Sequence, residues 1–345
     1  MREILRAFGG PLSLVIGTLV GFWLLILVAV PQVAMLDYSL WSQAANADLS
    51  AAIDRAYAEA TMAEFDRRAE ANPAKATELD EKLTALKRTI AELEAAQTSP
   101  PKTYGLQNYT RMSPLHAYIF VRTILSALAV AAVALVVCYP IAYAAAFAPT
   151  PRRAAILLTA LLVPYAMNEL LRVYAWLMIF DYRGVLNSLF AAVGLADLEA
   201  RRWVPFLETQ GALFTVMVSV YALFMVFPIM NTLQTLDPHQ IEAARDLGAS
   251  AWRIHARVVI PHAKPGIAVG VITVFMLAAG SFAVPQILSR GTGGDWFSQL
   301  VYRQFFEANN WNLGSAYAFS LLVVSLAIVF AMMRAFGVSL REITK

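Results

Sequence analysis

Six stretches of this chain are apolar for longer than a soluble fold tolerates. They run over residues 11–35, 118–148, 154–180, 211–231, 266–288 and 313–336, and each meets the roughly 20 residues a helix needs to cross the hydrocarbon core of a bilayer. The expected class is therefore an all-α, polytopic membrane protein with six transmembrane helices. Composition agrees, because 59% of the 345 residues are hydrophobic, where soluble proteins hold about 45–50%. A secretory signal shares the order of Arg2 and Arg6 followed by an apolar run, but its apolar core is about 7–15 residues. Residues 1–36 thus read as an N-terminal segment with a retained first helix, whose last turn Pro31 should loosen.

Residues 37–116 differ from the rest. Their middle, 48–97, is alanine-rich and carries 11 acidic against 7 basic residues, a net charge of −4. Asn72-Pro73 is placed as an N-cap and first helical position, so two helices are expected. In the second, Leu79, Leu83, Leu86, Ile90 and Leu93 alternate in steps of four and three, a coiled-coil-like seam. Glu64–Arg68 and Glu78–Lys82 are favourable i,i+4 pairs. The segment reads as a helical hairpin insert standing out of the membrane, ended by Thr98-Ser99-Pro100-Pro101.

Six spans put both termini on one side. The N-terminus, the turn after Pro149, the 237–265 loop and the tail hold 11 Lys and Arg, against 5 in the opposite short loops. By the positive-inside rule the first set, with both termini, is cytoplasmic and the insert is extracytoplasmic. Residues 117–345 then form the core, with 237–265 as its main cytoplasmic loop. Gly266 and Gly270 begin the fifth span at a spacing that lets helices approach closely. Asp181–Gln210 is a mixed loop and 289–312 a polar one.

Two segments carry the chemistry. In 237–265, Asp237 is an N-cap, Pro238 the first helical residue, and Gln240 suited to complete a capping box. Ile241, Ala244 and Leu247 share an apolar face, Gly248 turns the chain, and a basic helix over 251–259 is expected to stop at Pro261 and Pro265. A plain solvated connection is the simpler reading, but joining loops are usually shorter. In the third span, Tyr165, Glu169, Arg172 and Trp176 are spaced four, three and four on one helical face, with Asn168 and Tyr174 beside them. Charges inside a membrane are paired or face water. Glu169 and Arg172 either pair to fix packing or line a translocation path in which Glu169 favours a cation and the aromatics form a gate or stacking surface.

The order Glu242-Ala243-Ala244, Gly248, Ile260-Pro261 and Pro265-Gly266-Ile267 resembles the EAA signature of ABC-importer permeases. The resemblance implies the fold of a type I importer permease, with 237–265 as a coupling loop that docks on an ATPase through Glu242, Ala243, Ala244, Asp246, Leu247, Gly248, Ala249 and Pro261. His255 stands where that family often has an aromatic residue. Further stretches, 164–176, Arg183-Gly184-Val185-Leu186-Asn187, Ala283-Val284-Pro285 and 310–316, are similar to the spermidine/putrescine subfamily. That likeness implies a bacterial inner-membrane subunit working with an ABC ATPase homodimer, a second homologous permease and a periplasmic solute-binding protein. Polyamines lead as solute, with opine-like compounds, phosphonates or iron as alternatives. The 48–97 insert departs from the family's shorter loop.

Other chemistry finds no footing. There is no GxxxxGK[ST] loop, so ATP must be bound by a partner, and no HExxH, Ser-His-Asp order or cysteine cluster. The four histidines have no metal-ligand spacing, and Cys138 stands alone in an apolar run. No cofactor, catalytic residue, metal or nucleic-acid partner is expected. A stand-alone secondary transporter, which would need a repeat and ion-coupling carboxylates, and a membrane-anchored scaffold using the hairpin are the competing classes.

Overall fold

A computed structural model describes residues 10–43, 46–69, 73–98, 102–110, 112–195, 203–288 and 295–338. Arg2, Arg6, Asn72, Arg201, Arg202, Arg290, Gly291, Gly293, Gly294, Arg341 and Lys345 lie outside that set. So do the side chains of Arg68 and Glu78, and with them the two i,i+4 pairs. Among the described residues, five helices are long and apolar enough to cross a membrane: Leu14–Leu40, Pro114–Ala146, Gln210–Leu233, Ala251–Ala279 and Trp311–Phe336. Two further apolar pieces, Pro151–Ala166 and the helix from Glu169, are bent by 97° at a short break and make a sixth crossing if they act as one span. The chain forms two compact units, Met1–Arg111 with Trp311–Ala316, and Met112–Asn310 with Tyr317–Lys345.

In the first unit the first span is one helix despite Pro31. It widens to a π turn at Leu25–Ala29, where the Val30 N–H reaches the Leu25 carbonyl. A proline ring crowds the carbonyl four residues back, and the wider turn relieves that clash without ending the helix. Helices Asn46–Ala69 and Pro73–Thr98 pack along the leucine seam, with Ile90 buried against Ala56 and Ala60, Leu86 and Leu93 packed on that cluster, and Leu83 also buried. A short antiparallel ribbon of Trp41–Gln43 and Lys102–Tyr104 closes the base of this hairpin. Beneath it the Asn108 side chain donates to the Ser39 and Trp41 carbonyls at 2.9 and 2.8 Å. Asn312 donates to those of Tyr38 and Trp41 at 2.9 and 2.8 Å. Two amides thus satisfy the backbone where the first span stops being helical.

The second unit is held by Pro114–Ala146, Gln210–Leu233 and Ala251–Ala279, whose facing residues form the main core. Gly266 and Gly270 serve as the spacing suggests. A Cβ at Gly266 would collide with the Pro228 carbonyl and the Thr232 hydroxyl, and one at Gly270 would sit 2.9 Å from the Met225 sulfur. The polar loop expected over 289–312 contains a helix, Phe297–Phe306. The Trp296 ring beside it is buried, and its N–H donates to the Ala278 carbonyl at 3.0 Å. In the loop after the third span, buried Asn187 donates to the Asp181 and Val204 carbonyls at 3.1 Å each and accepts from the Val204 N–H at 2.9 Å.

Candidate functional site: the 237–265 loop and the break in the third span

Helix Pro238–Asp246 is capped by Asp237, whose carboxylate accepts the His239 N–H at 3.0 Å. The bond falls on the second helical residue rather than the third, so Gln240 bonds the Asp237 carbonyl through its backbone and the expected capping box is not formed. The helix ends in a Schellman turn. Gly248 N–H bonds the Arg245 carbonyl at 2.9 Å, Ala249 N–H bonds that of Ala244 at 3.0 Å, and Gly248 takes a φ of 78°. Ala244 and Ala249 meet the core below this turn.

The apolar face is shorter than its spacing suggests. Ile241 is buried, but Leu247 is 88% exposed, because it follows the last helical residue and leaves the helical path at the cap. Trp252 is 78% exposed nearby in sequence. An unpaired tryptophan in a basic segment was the signal for it, and sequence reasoning passed it over. Glu242 is exposed and within 3.1 Å of the His239 ring. That carboxylate, with Asp237, holds the His239 imidazole above its ordinary range. Ala243, Asp246 and Pro261 are also exposed.

Pro261 and Pro265 do not stop the next helix. Ser250 caps Ala251–Ile254, a π turn follows at His255–Val259, and the helix runs on through Ile260–Ala279. As at Pro31, the widened turn lies just ahead of a proline. Ile254 and Val259 are buried, which roots the loop in the core. His255 fills its place as an aromatic would, bonding the Tyr139 hydroxyl at 2.8 Å and packing on the Tyr143 ring at 4.6 Å. His262 bonds Thr235 at 3.0 Å and the Thr232 carbonyl at 3.2 Å, closing the root of the loop onto the end of the fourth span.

The third span departs most from expectation. Pro151–Leu162 passes into a 3-10 turn, Val163–Ala166, and helix Glu169–Phe180 starts afresh after Asn168, whose side chain accepts the Leu170 N–H at 2.8 Å. Tyr165 therefore does not share a helical face with Glu169, Arg172 and Trp176. The break still gathers three of the residues. The Arg172 guanidinium lies 4.0 Å from the Tyr165 ring centre. The Tyr165 hydroxyl donates to the Ser219 and Val220 carbonyls at 3.1 and 2.7 Å and accepts the Leu223 N–H at 3.0 Å. It thus ties the break to the backbone of the fourth span, Gln210–Leu233. Trp176 donates to the Ser219 hydroxyl at 3.1 Å. Asn168, Glu169 and Tyr174 remain exposed.

The Glu169–Arg172 ion pair is not formed. Arg172 is 7% exposed, and its Nε and Nη1 have no hydrogen-bond partner. Its side chain reaches back over Tyr165, while the Glu169 carboxylate is exposed. Ser219, Tyr221 and Ser281 also belong to this region, and their only sequence signal is a hydroxyl inside an apolar run.

The chain matches, over residues 116–341, the family described as "Binding-protein-dependent transport system inner membrane component". It is similar to the spermidine/putrescine transport system permease protein PotB of Escherichia coli (strain K12), at 32% identity over 222 residues covering 64% of this chain and 78% of that protein. It is also similar to the PotB protein of Haemophilus influenzae, at 29% over 234 residues covering 67% and 79%. Among solved structures, a bacterial ABC transporter involved in the import of the acidic polysaccharide alginate has a chain of like fold, with a TM-score of 0.51, 19% identity and coverage of 75% and 91%. With the match spanning all the helices from the second onward, the chain belongs to the family of binding-protein-dependent transport system inner membrane components, and is a membrane-spanning permease subunit of an ABC importer rather than an enzyme, with ATP hydrolysis carried by a separate subunit.

Proposed function

We propose that this subunit moves a small cationic solute, a polyamine such as spermidine or putrescine, delivered by a periplasmic binding protein. It would pair with a second, homologous permease on a homodimer of ATPase subunits. Opine-like compounds, phosphonates or iron are the alternative cargoes. The observation that carries the reading is the exposed Leu247–Trp252 turn. Two large apolar side chains stand in water on a segment rooted in the core by Ile241, Ile254 and Val259. An exposed apolar pair on a rigid base suits burial by a partner.

In this reading both termini and the 237–265 loop are cytoplasmic, following the excess of positive charge there. Glu242, Ala243, Ala244, Asp246, Leu247, Gly248, Ala249 and Pro261 make the docking surface. ATP binding draws the ATPase subunits together and shifts the loop. The shift is productive only if the loop's contacts differ between the two states. Tyr165, Asn168, Glu169, Arg172, Tyr174 and Trp176 border the path, where exposed Glu169 supplies the negative charge a polyamine needs. The likeness to the PotB proteins supports this cargo.

The test has two parts. Co-purification of the ATPase with the permease, lost when Leu247 and Trp252 are both changed to serine, probes the docking surface. A ligand screen on the binding protein encoded beside this chain identifies the solute. Undiminished co-purification, or a binding protein that ignores amines, removes the corresponding half of the reading.

A further inference from the structure

Arg172 poses a problem that the transport reading leaves open. A guanidinium stays protonated at any physiological pH, and a buried charge without a partner is strongly disfavoured. Yet Arg172 is more than nine-tenths buried, and two of its donor nitrogens are unsatisfied. Its neighbours make matters worse. The 12-residue helix that carries it begins at Glu169, so the positive end of that helix lies at the same break. The guanidinium folds back over Tyr165, the residue before the break, which turns it toward that helix start. Across from it, the fifth span ends at Gly280, and the short helix Ala283–Leu288 packs on Glu169–Phe180. Ser281 in that second break is buried, and the one hydrogen-bonding group close to its hydroxyl is that of Tyr221, which can donate to it and leave the serine proton free. The Tyr221 hydroxyl lies close to Ser281 and within electrostatic range of Arg172 and Glu169. Two interrupted helices thus bring a fixed positive charge, a helix N-terminus and the Ser281 and Tyr221 hydroxyls into one region of the second unit, and the Glu169 carboxylate beside them is exposed.

We propose that this junction is an anion site, taking a monoanion such as chloride or a carboxylate against Arg172, with the Ser281 hydroxyl as a further donor. Discontinuous helices inside membranes commonly bind ions in this way. The site deepens the transport reading and rests on it for its purpose: a polycation passing Glu169 would be repelled by a naked Arg172 close by, and a bound anion removes that repulsion. The site itself does not depend on the identity of the cargo.

The test uses the assembled transporter, with both permeases, the ATPase and the binding protein, reconstituted in lipid nanodiscs. Thermal unfolding is followed as chloride replaces sulfate at constant ionic strength, and then as acetate does so. A ligand that binds only the folded form raises the melting temperature. The expected result is a saturable upward shift with chloride or acetate in the wild type, absent in Arg172→Gln and retained in Glu169→Gln. A shift with acetate alone, matched by competition from ornithine but not putrescine for uptake in liposomes, assigns the site to a carboxylate carried by the solute. A shift with chloride assigns it to the free ion. If neither anion shifts the wild type, or if Arg172→Gln shifts equally, the proposal is overturned. Should Arg172→Gln fail to assemble, Ser281→Ala replaces it, with a weakened anion response expected and an unchanged one counting against the site. A chloride response accompanied by no polyamine uptake would refute the cargo and leave the site standing.

Discussion

Gly248 is the residue at which the docking proposal is easiest to break. Its φ of 78° lies where side chains with a Cβ are strained, and a Cβ there would meet nothing within 4 Å. Substitution therefore costs backbone strain alone and no clash within this chain. For alanine the strain is about 1–2 kcal/mol. At about 1.4 kcal/mol per tenfold change, roughly a 5- to 30-fold loss of docked complex follows if the strain falls on the docked geometry. Asparagine tolerates this conformation better and should lose less. Aspartate has the shape of asparagine, so its strain is similar. Its charge, however, stands at the carbonyl end of a helix, an unfavourable position by roughly 0.3–1 kcal/mol. If the ATPase covers Gly248, it also becomes a buried unpaired charge, costing about 3–5 kcal/mol more. Gly248→Asp should then abolish docking, with Gly248→Asn only mildly impaired and membrane insertion intact in both. The assay is titration of purified ATPase onto the nanodisc-held permease pair, with insertion checked by membrane extraction. Equal binding by the aspartate and asparagine variants would show that the turn is not covered, and the docking assignment would fall.

Three further outcomes are expected. Glu169→Gln should lower cation uptake several-fold in reconstituted vesicles without loss of assembly, because the exposed carboxylate has no structural partner in Arg172; unchanged kinetics would remove Glu169 from the path. Gly266→Ala should destabilise the chain by about 1–3 kcal/mol through overpacking, since its Cβ meets the Pro228 backbone, whereas Gly270→Ala should be milder because its closest neighbour is the flexible Met225 side chain; thermal melts that rank the two the other way would contradict the packing. The His239–Glu242 contact raises the imidazole's pKa, so its contribution is complete below about pH 6.5 and is lost as pH rises through the raised value. Histidine-resolved NMR should find the midpoint above that of Glu242→Gln, and coincident midpoints would dissolve the pair.

Which features could be read from sequence follows from the range of the forces involved. Spans were legible because burial in lipid demands length and apolarity, both one-dimensional properties. The Asp237 cap and the Gly248 turn were legible because capping is decided within a few residues. Pro261 and Pro265 misled because a proline next to a helix has two local solutions, termination or a widened turn ahead of it, and packing selects between them. The third span misled for a longer-range reason. Spacing of four, three and four does describe one face of a helix, but Asn168 caps a new helix there, and the energy that holds the break comes partly from another span. The Tyr165 hydroxyl bonds the backbone of the fourth span, meeting both the Ser219 carbonyl and the Leu223 N–H. No local pattern announces that a tyrosine will find its partners 54–58 residues away.

That same contact bears on how motion at one end would reach the other. The fourth and fifth spans flank the 237–265 loop and are locked together at Gly266, where the Pro228 carbonyl leaves no room for a side chain. His262 ties the loop's root to Thr232 and Thr235 on the end of the fourth span. Contacts this tight do not slide by small amounts, because packed interfaces resist continuous deformation. A pull on the loop therefore moves both spans as one body. Farther along the fourth span, between Ser219 and Leu223, the Tyr165 hydroxyl of the third span bonds the backbone. Rotating the span there would break the Tyr165 bonds and release the ring that covers Arg172. If the 237–265 loop is the docking element, a change that loosens Gly266 packing should uncouple it from the break without touching either.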